Sequence, residues 1–239
     1  MLQELERYKR QMLLFGEEGQ EKLKNASVLI AGAGGLGCPV ALYLAAAGVG
    51  RIRIADRDTV EISNLNRQIL HMYKDIGQKK SASAEETLRA VNPYIEVEGI
   101  CTTIERSNIS ELAGDVDLIV DAMDNFTTRY LLNEVAVKSG IPLMHGAISG
   151  FFGQATTIIP GKSPCLRCIF PKAPPKVEFP VLGPTAGVIG MIQANEVIKF
   201  LTGTGELLTG RLLLWDGTSS TMDLLEVERQ PDCGICGCL

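Results

Sequence analysis

Ser27-Val-Leu-Ile-Ala31-Gly32-Ala-Gly34-Gly35-Leu-Gly37 is the stretch that decides the fold. Ser27–Ala31, largely apolar and without alternation, reads as a buried strand. The chain then turns on Gly32-x-Gly34-x-x-Gly37 and enters an Ala-rich helix over 36–48, stopped by Gly48. Strand, glycine turn and helix in that order are the setting that a phosphate-binding fingerprint requires. The first glycine allows the tight turn, and the second lets backbone N–H groups approach phosphate. The third lets the helix pack on the sheet. Arg51–Ala55 reads as the next strand. Asp56 ends it about 20 residues on, where a carboxylate holds ribose hydroxyls. The fingerprint does not separate NAD, FAD, S-adenosylmethionine and ATP, and such a turn can serve packing alone.

Outward from this unit, residues 7–24 read as a helical lead ending near Asn25. Downstream come a helix over 81–91 closed by Asn92-Pro93, a strand over 94–100 and a strand over 117–121. A helix over 126–139 and a strand over 142–147 follow. Strands alternating with helices predict an α/β fold with a Rossmann-like, doubly wound, mostly parallel sheet. After Gly150 the pattern changes. Residues 153–159 alternate like an antiparallel strand. A Pro- and Cys-rich loop spans 160–184, then a helix near 185–202 and strands over 211–215 and 222–228. The C-terminal strands are therefore expected to be antiparallel. The long loop marks a functional crossing segment.

At 239 residues, 46% hydrophobic and 21% charged, the chain suits one large globular domain. A net charge of −5 gives no basic footprint for nucleic acid. Apolar runs are short, so no membrane span is expected. The polar N-terminus does not resemble a leader, and a cytoplasmic location is expected. Seven cysteines there should be thiols or metal ligands rather than disulfides. With two histidines, chemistry that leans on histidine acid/base work is not favoured.

The segment Asp56-Arg57-Asp58-Thr-Val-Glu61-Ile-Ser-Asn64-Leu-Asn66-Arg67-Gln68 narrows the nucleotide. It sets amides, a guanidinium and carboxylates beside a ribose site. An intact dinucleotide does not need that arginine. A triphosphate does, because charge builds on its leaving pyrophosphate. Lys80 stands at a helix start and could face phosphate, although bare sequence favours a solvated lysine. Asp121 and Asp124 bracket the end of the fourth strand, and two carboxylates there suit Mg²⁺. Asp124 could also cap the following helix.

Cys165-Leu-Arg-Cys168 and Cys233-Gly-Ile-Cys236 form two Cys-x-x-Cys pairs with 64 residues between them. Four thiolates closing a tetrahedron leave no position for water, so a zinc ion there would be structural. Free buried thiols or a redox pair are the other readings.

Read together, these motifs resemble the ThiF/MoeB/HesA family, relatives of the ubiquitin-activating enzyme. The matching residues are Arg7-Tyr-Lys-Arg10-Gln11, Gly32-x-Gly34-Gly35-Leu-Gly37, Asp56, Asn64-Leu-Asn66-Arg67-Gln68, Gly77-Gln-x-Lys80, Asp124-Asn125 with Thr127-x-Arg129, and both cysteine pairs. The resemblance implies an ATP-dependent adenylyltransferase. Its target would be the C-terminal Gly-Gly carboxylate of a ubiquitin-fold sulfur carrier, in thiamin or molybdopterin biosynthesis. It implies that Asp56 binds ribose and that Asn64, Asn66, Arg67, Gln68, Lys80 and Asn125 join the glycines around ATP. Asp124 would hold Mg²⁺. Arg10 matches an arginine supplied by a second subunit, so a homodimer is implied, with Arg10, Arg67, Lys80 and Asp124 as the catalytic set. Residues 1–150 would form the nucleotide half and 151–239 the crossing loop, zinc and carrier half of one domain. A cysteine desulfurase or rhodanese-like protein would donate sulfur, with no rhodanese-like domain expected within these residues.

The chain departs from the family where many relatives carry a reactive cysteine in the crossing loop. Lys176-Val-Glu-Phe-Pro180-Val-Leu-Gly183-Pro-Thr-Ala-Gly187 has none, which favours adenylation without covalent transfer there. Of the other cysteines, Cys38 reads as a small buried residue, Cys101 as a strand-end core residue, and Cys238 as part of a tail. Competing readings are adenylation of a tRNA base or peptide, a non-catalytic carrier-binding scaffold, and an NAD-dependent oxidoreductase. The last would leave Arg67, Lys80 and Asp124 without a task.

Overall fold

The computed structural model describes residues 2–175 and 179–237. In β1 (Ser27–Ala31), Val28 and Ile30 face one apolar core while Leu29 and Ala31 face the other, all four fully buried. That double burial is why the strand shows no alternation. β2 (Arg51–Ala55), β3 (Glu96–Ile100), β4 (Leu118–Asp121) and β5 (Leu143–Ser149) extend a parallel sheet around it. β6 (Phe152–Ile158), β7 (Arg211–Asp216) and β8 (Thr221–Glu226) continue it antiparallel. The strand order is β3-β2-β1-β4-β5-β6-β7-β8. The chain moves outward from β1 to β3, then returns to lay β4 on the other side of β1. The switch point therefore lies between β1 and β4, where loops leave the carboxyl ends in opposite directions.

Helices α1 (Leu2–Asn25), α2 (Gly37–Ala47), α3 (Lys80–Val91) and α7 (Gly183–Thr202) cover one face. α4 (Ile109–Leu112), α5 (Phe126–Ser139) and α6 (Leu166–Ile169) cover the other. α1 is two arms broken at Gly16. Its first arm is pinned at the far ends of α2 and α3. Arg7 donates to the Val91 carbonyl, Asn92 Nδ2 donates to Tyr8 Oη and Ala45 O at 2.7 Å each, and Gln11 donates to Ala47 O at 2.7 Å.

The predicted α/β architecture holds, with its antiparallel C-terminal strands. β5 runs two residues further than expected, to Ser149, because it forms a tight hairpin with β6 around Gly150. α7 starts two residues earlier, with Pro184 in its first turn. The one-turn helices α4 and α6 were not legible. Cys38 is buried as read, but Cys101 is exposed rather than core. It lies one residue past β3, the edge strand, where no neighbouring strand covers it. Among the described residues no helix is long and apolar enough to cross a membrane.

Candidate nucleotide site and four-cysteine clip

The glycine turn sits at the carboxyl end of β1, and each glycine has its own cause. Gly32 has φ +104°, and a Cβ there would lie 2.9 Å from the Ala122 carbonyl oxygen. A Cβ on Gly37 would lie 1.9 Å from Gly32 O, so helix and turn can meet only at glycine. Gly34 differs. A Cβ there would meet nothing closer than Gln68 Nε2 at 3.9 Å, and the Gly34 N–H has no acceptor among the described residues. That open side is the cradle. Asp56 closes one wall of it, its two oxygens accepting the Ala33 N–H at 2.8 Å and the Asp58 N–H at 2.7 Å. Each oxygen keeps lone-pair capacity for a ligand hydroxyl.

The 61–68 turn supplies the next wall. Asn64 is buried and shapes it: Oδ1 accepts the Glu61 N–H at 3.1 Å, and its carbonyl accepts the N–H groups of Arg67 and Gln68. Arg67 runs its stem beside Gly35, with Nη1 donating to Ser63 O and to Oδ1 of the exposed Asn66. Gln68 is 4% exposed, and its Oε1 has no partner among the described residues. A buried unpaired amide oxygen beside an open glycine fits a site built for a polar ligand. α7 begins against this wall, with Ala186 near Gly35 and Gly183 against the Asn66 carbonyl.

Lys80 corrects the solvated reading. It is 6% exposed, at the first position of α3, and Nζ lies 3.2 Å from Asp58 Oδ2. The loop folds back because the Asp58 carbonyl accepts the Lys80 N–H. Its ammonium therefore faces the Asp58 carboxylate and not open solvent.

Asp121 and Asp124 have separate fates. Asp121 is fully buried. Oδ2 accepts from His145 Nδ1 at 2.7 Å, Oδ1 accepts the Met123 N–H, and Arg129 Nε lies 3.9 Å away. Arg129 also donates to Met123 O, and Gln193 of α7 donates to the Asp121 carbonyl. Burial pushes the His145 imidazole below its ordinary value, against the opposing pull of Asp121. This network fixes the loop rather than offering a second metal ligand, which corrects the paired-carboxylate reading. Asn125 caps α5 through the Thr128 N–H, so Asp124 is not needed as a cap and stands exposed. Sequence reading missed His145 and Gln193. The only signal was a polar residue inside an apolar segment.

Arg10 is exposed on the first arm of α1. Its neighbours Tyr8 and Gln11 are tied near the carboxyl end of α2, whose amino end carries the cradle. The 11 residues of α2 span about 16 Å. Arg10 is thus not brought to the cradle of its own chain.

The four cysteines do converge. All four Sγ atoms lie within 4.8 Å of one another, with Cys165–Cys233 at 3.7 Å and Cys168–Cys236 at 3.4 Å. Tetrahedral zinc with bonds of about 2.3 Å places sulfurs about 3.8 Å apart, so the cluster fits. Burial pushes the Cys165 thiol up to about 12. For Cys233 burial also pushes upward, but the N–H groups of Cys236 and Ile235 outweigh it and bring the thiol to about 7. Lys176–Glu178 of the crossing loop and Cys238 lie outside the described residues.

Comparison with known families matches the ThiF family over residues 8–235. The chain belongs to the ThiF family. This ThiF-family chain is 46% identical over 242 residues to the SAMP-activating enzyme E1 of Haloferax volcanii, covering 98% of this chain and 89% of that protein. It is 46% identical over 248 residues to the sulfur carrier protein adenylyltransferase of Thermus thermophilus, covering 98% and 92%. Against adenylyltransferase and sulfurtransferase MOCS3-1 of Zea mays it is 46% identical but spans only 51% of that protein. Among solved structures, E. coli MccB with ATP superposes with a TM-score of 0.88 at 26% identity, covering 97% of this chain and 74% of that one.

Proposed function

We infer that the chain is an ATP-dependent adenylyltransferase that activates the C-terminal Gly-Gly carboxylate of a ubiquitin-fold sulfur carrier in thiamin or molybdopterin biosynthesis. The observation that carries this reading is the 46% identity to the Thermus thermophilus sulfur carrier protein adenylyltransferase, across nearly the whole of both chains. The open cradle at the switch point supports it.

Asp56 binds the ribose hydroxyls. The open side of the Gly32–Gly37 turn, led by the Gly34 N–H, receives the phosphates with Asn66, Arg67, Gln68 and Lys80, while Asn64 shapes the turn and Asn125 steadies Asp124. Asp124 would hold Mg²⁺, which would neutralise phosphate charge when bound. The carrier carboxylate attacks the α-phosphorus as one of its oxygens forms the new P–O bond. The bond to the β-phosphate breaks, and pyrophosphate leaves with the electron pair. The carboxylate is already ionised, so no general base is required. The enzyme need only align it and stabilise the phosphates. Arg10 reaches this site from a second copy, making the enzyme a homodimer with composite sites.

Residues 1–150 form the nucleotide half and 151–239 the carrier half of one domain. The cysteines hold structural zinc that ties the chain after β8 to the crossing loop. The adenylate then receives sulfur from a cysteine desulfurase or rhodanese-like donor in the cytoplasm. ATP–pyrophosphate exchange with purified, zinc-loaded protein tests the reading. Exchange that depends on one Gly-Gly carrier is expected. Absence of exchange with every carrier, despite measurable ATP binding, would move the activity to another acceptor or leave only a scaffold.

A further inference from the structure

Ala33, between the first two glycines, is held from both sides. Its N–H donates to Asp56, while its carbonyl oxygen lies 3.0 Å from His71 Nε2 and also receives the weaker, longer Cys38 Sγ–H contact at 3.5 Å. In a trans peptide the C=O and the following N–H point in opposite directions. Anchoring the Ala33 carbonyl on His71 therefore turns the Gly34 N–H away from His71. The Gly34 N–H has no acceptor among the described residues, and a Cβ on Gly34 would meet nothing closer than 3.9 Å. His71 is only 5% exposed, too enclosed to serve as a surface donor. Behind the ring, Nδ1 lies 2.9 Å from Ser83 Oγ, which lies 3.0 Å from Asp75 Oδ2. Asp75 is itself held by the Met72 N–H at 2.7 Å. Ser83 belongs to α3, the helix that opens with Lys80. A continuous buried chain of contacts thus links the glycine turn to the helix that carries the phosphate-facing lysine.

A carbonyl oxygen can only accept, so Nε2 must carry a proton. A neutral imidazole meets that demand, and Nδ1 and the Asp75 carboxylate then share the single Ser83 hydroxyl proton between them. Burial favours that neutral form, the Ala33 contact opposes it, Lys80 supports it, and Asp56 and Asp75 oppose it.

We propose that His71 is a positioning residue of the nucleotide site: it holds the Ala33 carbonyl so that the Gly34 N–H faces the phosphates, and Ser83 and Asp75 fix its ring. The proposal rests on the nucleotide reading given above.

Two substitutions separate this role from a structural one. In His71→Gln the side-chain amide reaches the position of Nε2 and can still donate to Ala33. In His71→Asn the shorter amide reaches only the Ser83 side. ATP affinity is measured by calorimetry with Mg²⁺ and without carrier, alongside Tm and the KM values for ATP and carrier in the exchange assay. H71Q should bind ATP within about threefold of wild type. H71N should bind roughly tenfold more weakly, the effect of one lost hydrogen bond to an oriented peptide. Its KM for ATP should rise while that for carrier stays constant, and both variants should melt together. Wild-type affinity in H71N would overturn the proposal and leave the nucleotide reading intact. A wild-type protein that binds no ATP would overturn both. Should H71N not fold, Ser83→Ala leaves the imidazole and Ala33 in place but frees the ring. It should weaken ATP binding severalfold, and unchanged affinity there overturns the proposal.

Discussion

The nucleotide cradle and the four-cysteine clip are built on opposite plans. The cradle takes its parts from loops at the carboxyl ends of β1, β2 and β4 and leaves polar atoms unsatisfied: the Gly34 N–H and Gln68 Oε1 have no partner among the described residues. The clip joins Cys168 to Cys233 across 64 intervening residues and turns all four sulfurs toward one another. An unpaired buried polar atom costs stability until a ligand arrives. A closed thiolate tetrahedron has nothing left to bind. A site that must take in and release a substrate keeps vacancies, whereas a site that only holds shape removes them.

The largest test of that contrast is to remove charge from the cradle. Arg67→Ala or Asp124→Ala should each lower exchange by about 10²–10³-fold, the scale seen when a transition-state donor is lost, with Tm unchanged. An equal fall in Tm would show that these residues hold the fold instead. Mixing Arg10→Ala with Arg67→Ala protein should restore about a quarter of wild-type exchange, since half of the dimers then carry one intact composite site. No recovery would end the two-copy assignment of Arg10. Cys236→Ser should do the reverse of the cradle variants. Zinc, read by metal analysis, should be lost, and Tm should fall by about 6–12 °C for roughly 3 kcal/mol, while ATP affinity survives. Gly37→Ala attacks the scaffold under the cradle. Its Cβ would sit 1.9 Å from Gly32 O, so stability should drop by about 1–3 kcal/mol and ATP affinity with it, in urea melts and calorimetry.

The smallest effect belongs to α5, which runs from the Asp124 loop toward the clip. Glu134 receives both Arg106 and Lys138, and the Arg106 hydrogen bonds, followed by those of Lys138, hold its carboxyl down at about 2. A depressed carboxylate contributes stability above its unfolded value and loses it as the pH falls toward 2. Glu134→Gln should cost about 0.5 kcal/mol at pH 7, and the difference from wild type should close at about pH 2–3. A gap that stays constant with pH would mean that packing, not charge, stabilises this end of the helix.

The two regions were not equally legible. Gly32, Gly34, Gly37 and Asp56 are local, so strand, turn and acid announce themselves along the chain, and β1 through β5 followed from short apolar segments succeeding helical ones. Both cysteine pairs were equally local, although nothing in the sequence states that they meet. What escaped was set by long-range contact. Lys80 is buried because the Asp58 loop folds back over it. Cys101 is exposed because β3 happens to be an edge. Asp121 is committed to His145, a strand neighbour 24 residues away, and not to the solvent beside Asp124. Sequence spacing names residue types at a site, but it cannot say which carboxylate faces inward.

The tether of α1 has a consequence for dosage. Tyr8 and Gln11 fasten Arg10 about one α2 length from the cradle of its own chain. Under the two-copy reading, no folding event within a single chain completes a site; only an encounter does. At concentrations where copies separate, output should rise with the square of the amount of chain, and specific activity should fall on simple dilution. A cell that halves expression would then lose up to three quarters of the activity.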